Sequence, residues 1–173
     1  MTAINNYAVT PPLLAREGME HRVEELTELA VDLAEQACSR SGRRPRLAGS
    51  LPPLETSYRA DLVQGRDEVL DGYRRIASVL APRVDLMICE TLASSQEAIW
   101  ACQAATETVE PGDGGDGVEV DPESAQQRGA TPLDPEAYAV EVQRWLDAGA
   151  SIVGGCCRTR PEHIRRLKEL LES

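Results

Sequence analysis

Val84-Asp85-Leu86-Met87-Ile88-Cys89-Glu90 is a nearly continuous apolar run closed by a carboxylate. A strand with one wet face would alternate, so this run reads as a parallel strand covered on both sides. Ser94 or Ser95 can then cap a helix that reaches about Val109. Upstream, Arg46-Leu47-Ala48-Gly49-Ser50 is a small strand closed by Pro52-Pro53. Residues 67–80 form a helix with Val69, Leu70, Tyr73, Ile76, Ala77 and Leu80 on one side, ended by Pro82. Residues 20–37 carry Val23, Leu26, Leu29, Ala30, Leu33, Ala34 and Ala37 at spacings of three and four, one face of an amphipathic helix. Residues 2–10 suit a brief strand and loop before Pro11-Pro12. Strand and helix therefore alternate, which predicts βα units and a parallel sheet.

Downstream the pattern breaks. Residues 110–136 hold Gly112, Gly114, Gly115, Gly117, Gly129 and eight carboxylates against the single base Arg128. Such a composition buries too little apolar surface to offset its ordering entropy, so residues 110–132 read as an acidic linker between an N-terminal set of βα units, 1–109, and a C-terminal segment, 133–173. Order resumes at Asp134-Pro135, a good helix start, followed by Tyr138, Val142, Trp145 and Leu146. Ala148-Gly149-Ala150 is a tight turn, and Ser151-Ile152-Val153 is a short strand running into Gly154-Gly155-Cys156-Cys157. Residues 161–171 form the closing helix, with Ile164, Leu167, Leu170 and Leu171 inward.

The chain has 173 residues, enough for one ordinary domain, and a net charge of −11. That excess of carboxylates argues against phosphate backbones and anionic membrane surfaces as partners. Trp 2, Tyr 4 and Phe 0 leave an aliphatic core and little material for stacking bases. No apolar stretch of about 18 residues exists, and the first residues lack the features of a secretion signal, so a cytoplasmic location is expected. Five cysteines is an odd number, and the neighbours Cys156 and Cys157 suit a structural disulfide poorly; in a reducing compartment they point to metal or thiol chemistry. His21 and His163 fall at helix starts on accessible stretches, where neither makes a good general base. Arg40, Arg43, Arg44 and Arg46 lie in a helix-end turn and read as structural.

The sharpest chemical signal is Gly154-Gly155-Cys156-Cys157-Arg158-Thr159-Arg160-Pro161-Glu162-His163-Ile164, with two thiols where a strand opens into a helix. In parallel α/β folds that carboxyl end is where ligands bind. Paired thiolates are good zinc ligands, and a zinc centre that activates a substrate usually has three protein ligands and one open position.

Gly154 to Ile164 resembles the C-terminal zinc motif of the homocysteine S-methyltransferase family. Other segments agree: Ile4-Asn5-Asn6-Tyr7-Ala8-Val9-Thr10 is similar to that family's second barrel strand. Ala48-Gly49-Ser50-Leu51-Pro52-Pro53-Leu54, with Ser57 to Leu62, is similar to the third strand and its loop. Cys89-Glu90-Thr91-Leu92 resembles the end of the fourth, and Leu133-Asp134-Pro135-Glu136-Ala137-Tyr138 the helix before the last. The resemblance implies a (β/α)8 barrel of the TIM type in which three cysteine thiolates hold Zn2+. There the sulfur of homocysteine attacks a methyl group on a sulfonium donor, S-methylmethionine or S-adenosylmethionine, and methionine is formed. It implies small-molecule substrates, Cys156 and Cys157 as zinc ligands, and Glu90 as the partner of the substrate's amino group, with Asn5 lining the pocket.

The chain departs from that pattern. A barrel of this class needs about 250 residues, and about five of eight strands are recognisable. The family's first strand has no counterpart, and the acidic linker stands where the fifth to seventh belong, including the one that supplies the first zinc thiolate. Cys38 and Cys102 fall within helices and Cys89 faces away from Glu90, so no third thiolate is evident. The function the resemblance implies is homocysteine S-methyltransfer. The second reading is a catalytically inactive shortened relative acting as a thiol or metal-binding or interaction module. An incomplete barrel leaves strand edges open, so a homo-oligomer or a complementing chain is expected to cover them.

Overall fold

The computed structural model describes residues 2–42, 45–108, 118–120, 133–154 and 159–172, with 118–120 as backbone. Five parallel strands form one sheet in the order of the chain: β1 (Thr2–Ala3), β2 (Leu47–Leu51), β3 (Leu86–Cys89), β4 (Val118–Val120) and β5 (Ala150–Val153). The helices are α1 (Pro11–Ala15), α2 (Val23–Ser41), α3 (Arg66–Leu80), α4 (Ser95–Thr108), α5 (Pro135–Asp147) and α6 (Pro161–Leu171). Right-handed crossovers between strands in sequential order send their helices to one face of the sheet. Helix α3 lies on that face against β2, so closely that a Cβ on Gly49 would stand 2.9 Å from Leu80 Cδ1.

The expectation of βα units on a parallel sheet is met. The barrel is not closed by what the structure describes: among the described residues β1 pairs with β2 alone and β5 with β4 alone. Strand β4 falls inside the stretch read as an acidic linker, bridging β3 to β5 through the pairs Met87 to Val118 and Val118 to Ala150. Composition averaged over 23 residues masks a three-residue Val118-Glu119-Val120 segment of good strand character, which is why the sequence reading missed it. The remainder of that stretch lies outside the described residues.

All six apolar positions expected on α3 are buried, and Tyr138, Val142 and Trp145 of α5 are buried with them. Two faces need correction. On α2 the fully buried positions are Val23, Thr27 and Val31, while Leu29 and Leu33 are 50% and 58% exposed. Their repeat of four selects the side toward α3, and the other apolar positions fall on its flank. On α6 the buried pair is His163 and Leu167, whereas Ile164 and Leu171 are 47% and 57% exposed. His163 turns inward because its ring packs edge-on against Tyr138 of α5, with centroids 5.6 Å apart. Arg83 joins the α3–β3 connection to Asp32 and Glu35 of α2, each at 2.6 Å. No helix among the described residues is long and apolar enough to cross a membrane.

Candidate active site

Alternation along the strands decides which side chains can meet. Gly49 faces α3, so its neighbour Ser50 faces the opposite side of the sheet. Cys89 faces α4, where its sulfur lies 4.0 Å from that of Cys102, and Glu90 therefore shares the side of Ser50. The Ser50 hydroxyl donates to Glu90 Oε1 at 2.5 Å, and the Glu90 N–H continues the ladder to the Leu51 carbonyl at 3.2 Å. From the loop after β1, Asn6 Nδ2 donates to the Ser50 carbonyl at 2.9 Å, and the Asn6 side-chain oxygen is buried without a partner. Three strand ends thus converge on one polar locus.

A second cluster lies beside it. The Tyr7 hydroxyl stands 2.6 Å from Ser57 Oγ and 2.8 Å from Thr91 Oγ1, joining the loops after β1, β2 and β3. Thr91 has φ of 51° and Tyr58 φ of 68°, a region that costs side-chain-bearing residues of order 1–3 kcal/mol unless their surroundings hold them there. Those surroundings are visible: Thr10 Oγ1 donates to the Leu54 carbonyl at 2.6 Å, tying the first loop to the second.

Glu97 ties the second loop to the third. Ser94 caps α4 by accepting from the Glu97 N–H at 3.1 Å, and the Glu97 carboxylate reaches back to the Ala93 N–H at 2.8 Å. This is a capping box displaced by one residue. Its other oxygen accepts from the Leu54 N–H at 3.2 Å and from the Tyr73 hydroxyl at 3.0 Å. Burial pushes the Glu97 carboxyl above its usual range, against the pull of the two backbone N–H groups and Tyr73. Burial, followed by the charge of Glu97, pushes the Tyr73 phenol well above its own.

At the far strand, the Tyr138 hydroxyl donates to the Gly154 carbonyl at 2.7 Å, where the chain leaves β5. His163 Nδ1 accepts from the Arg160 N–H at 3.1 Å, which assigns the proton to Nε2, 2.9 Å from the Leu133 carbonyl. His163 is therefore a buried brace between the start of α6 and the start of α5, and not the accessible residue expected from the sequence.

Of the residues singled out in the sequence, Glu90 is half-buried in this locus and Asn5 is exposed, its neighbour Asn6 making the inward contact. Cys156 and Cys157 lie outside the described residues. The described cysteines are Cys38, half-buried, and the buried pair Cys89 and Cys102. Hydrogen bonding to Cys102, and then burial, push the Cys89 thiol well above its ordinary range, which opposes the thiolate a metal needs. Among the described residues no group of three or more His, Cys, Asp or Glu side chains could hold a metal ion. Two adjacent soft donors of the kind Cys156 and Cys157 offer suit zinc. Sequence reasoning missed Ser50, Asn6, Tyr7, Ser57 and Glu97. Two signals were available: strand alternation, which sets Ser50 on the side of Glu90, and the Ser94-x-x-Glu97 spacing of a capping box.

Together these features define an α/β protein with a polar site at the carboxyl ends of parallel strands. A family model for homocysteine S-methyltransferases matches residues 2–113 and 109–171, and the chain belongs to that family. It is 40% identical over 57 residues to the selenocysteine Se-methyltransferase of Brassica oleracea var. italica, a match covering 33% of this chain and 16% of that one. It is 39% identical over 51 residues to homocysteine S-methyltransferase YbgG of Bacillus subtilis (strain 168), covering 30% of this chain and 16% of the relative. Each match thus spans a small part of the relative's own length. The apo homocysteine methyltransferase MmuM of Escherichia coli aligns at 18% identity and a TM-score of 0.43, over 86% of this chain and 73% of that one.

Proposed function

We propose that this chain transfers a methyl group from a sulfonium donor, S-methylmethionine or S-adenosylmethionine, to the thiol of homocysteine. The observation that carries this reading is the Ser50–Glu90 pair at the adjoining ends of β2 and β3, in a chain of this family. Ser50 donates to one carboxylate oxygen and so fixes the plane of the group; the other oxygen can accept from a substrate ammonium. A charge-assisted bond of that kind orients an amino acid better than a neutral one. Asn6, held by its bond to the Ser50 carbonyl, offers its unpaired oxygen to the same locus. Tyr7, Ser57 and Thr91 present hydroxyls at the rim, suited to the polar end of a donor.

In the reaction the homocysteine sulfur forms a bond to the methyl carbon. The methyl–sulfonium bond breaks and leaves its electron pair on the donor sulfur, which becomes a neutral thioether; the thiol proton passes to water. Cys156 and Cys157 are the residues that would hold zinc, whose chemistry is to favour the thiolate over the thiol at neutral pH. What the rest of the chain contributes is orientation: Glu90 holds the amino group, and the loops braced by Glu97 hold the hydroxyl cluster.

The test is methionine formation by the purified chain from homocysteine and isotope-labelled methyl donor, read by mass spectrometry with and without added zinc. Labelled methionine that disappears in Glu90→Ala and in Cys156→Ser/Cys157→Ser supports the proposal. Turnover unchanged in both variants would overturn these assignments, and no labelled product with either donor would overturn the activity. Similarity to a plant selenocysteine Se-methyltransferase favours selenocysteine as a second acceptor to include.

A further inference from the structure

Among the described residues, two that carry side chains have φ in the left-handed region, Tyr58 at 68° and Thr91 at 51°. Thr91 is β-branched, so both substituents on its Cβ crowd the backbone in that conformation. A disfavoured conformation persists only where neighbouring contacts hold it, and such residues gather at ligand sites.

Both outliers meet at one phenol. The Tyr7 hydroxyl lies 2.6 Å from the hydroxyl of Ser57, the residue before Tyr58, and 2.8 Å from Thr91 Oγ1. Asn6, the residue before Tyr7, is tied to the Ser50 carbonyl at 2.9 Å, and Thr91 directly follows Glu90. The Tyr7 side chain therefore runs from the backbone beside Ser50 to the residue beside Glu90, the two members of the candidate substrate pair. The same loops are held a second time at their base, where Glu97 accepts from the Leu54 and Ala93 N–H groups. Glu97 is buried, whereas Tyr7 is 40% exposed. The base contacts are shielded from water; the contact at the tips can be lost without opening the core.

We infer that the Tyr7 hydroxyl is a clamp that holds the loops after β2 and β3 in their left-handed turns, and that Tyr7 is thereby a positioning residue for the Glu90 carboxylate. A phenol oxygen has one proton to give and lone pairs to accept with, so it binds both hydroxyls at once, donating to one and accepting from the other. Without it, Thr91 relaxes toward an ordinary backbone conformation, and the peptide that joins it to Glu90 turns with it. The carboxylate then leaves the plane that Ser50 fixes. This inference deepens the proposed homocysteine site and rests on that reading for substrate affinity alone.

Tyr7→Phe and Thr91→Val break the clamp while keeping the ring and the β-branched shape. In the full chain, melting is expected to stay within about 3 °C of wild type, because the exposed bonds lost and the strain released offset each other. The Glu90 N–H is expected to exchange about tenfold faster by NMR, while the Leu54 and Ala93 N–H groups keep their protection. Affinity for L-homocysteine by calorimetry should fall about tenfold, and KM should rise with a smaller change in kcat. The double variant should match Tyr7→Phe, since its second change removes a contact already lost. Faster exchange at Leu54 and Ala93 as well, with a large drop in melting temperature, makes Tyr7 a structural residue and overturns the inference. So do unchanged homocysteine affinity in both variants, or effects that multiply in the double variant. If wild type neither binds homocysteine nor forms methionine, the proposed activity falls, and the exchange pattern at Glu90, Leu54 and Ala93 alone upholds or overturns the clamp.

Discussion

The phenol of Tyr73 donates to Glu97 Oε1 across 3.0 Å, with both side chains fully buried, and so joins α3 to α4 directly beneath the loops that follow β2 and β3. The same carboxylate serves the Leu54 and Ala93 N–H groups. One side chain therefore sets the spacing between the loop bearing Ser57 and the loop bearing Thr91.

Glu97→Ala orphans two backbone donors in a dry site, while the Tyr73 hydroxyl keeps the Pro52 carbonyl at 2.9 Å. At about 1–3 kcal/mol for each unsatisfied buried group, partly offset where water enters, a loss of about 3 kcal/mol is expected in urea denaturation. Glu97→Gln keeps one acceptor and should lose less. A loss below about 1 kcal/mol for the alanine variant would contradict the bracing role.

The pH dependence has a defined sign. The folded carboxyl of Glu97 is raised, chiefly by burial, above an unfolded value of about 4.3. The folded state then holds the proton more tightly than the unfolded chain does. The stability this contributes is full below the unfolded value and is lost as pH rises through the folded one. The advantage of wild type over Glu97→Gln is thus expected to shrink from acid pH toward neutrality; an advantage that grows over that range would mean that the carboxyl is lowered instead.

Ser50→Ala removes the donor that orients Glu90 while leaving the charge in place. Under the proposed activity, KM for homocysteine should rise by about tenfold, with a smaller change in kcat and little change in melting temperature. Glu90→Gln should raise it further, because a charge-assisted bond is lost. Equal KM values in all three proteins would remove this pair from substrate binding.

Tyr138→Phe deletes the bond to the Gly154 carbonyl and leaves the edge-on ring contact with His163. A cost of about 1 kcal/mol is expected, together with faster amide hydrogen exchange at 150–154 than elsewhere in the sheet. Uniform acceleration across all strands would point to global destabilisation alone.

Cys89 and Cys102 face each other inside the helix layer. Cys102→Ala should leave zinc content measured by mass spectrometry unchanged, whereas Cys156→Ser/Cys157→Ser should abolish it. Zinc lost on Cys102→Ala with the fold retained would make that thiol a ligand.

Much of this architecture could be read from residue order, for physical reasons that differ by element. Strand β3 and helix α3 are buried along their length, so their apolar patterns are unmixed, and every position expected inward on α3 is inward. Helices α2 and α6 stand at the ends of the layer, where apolar residues occur on more than one side; periodicity alone could not tell the covered side from the open one. Strand β4 has three residues within an acidic, glycine-rich stretch, too short for its alternation to outweigh its setting. In the candidate site Glu90 stood out through the resemblance of Cys89-Glu90-Thr91-Leu92 to the end of a strand of the family. Asn6 and Ser50 are small polar residues whose role depends on contacts 44 positions apart, which spacing along the chain does not reveal.

The unbroken succession of strands, each laid beside the one before it, has a consequence for biosynthesis. The third strand and the helices around it can pack before the last thirty residues have left the ribosome, so β5 and α6 meet a surface already assembled. Slowing translation early in the message should matter little, whereas a release factor acting before β5 would free a compact remnant that keeps Glu97 and its loops but lacks the thiols.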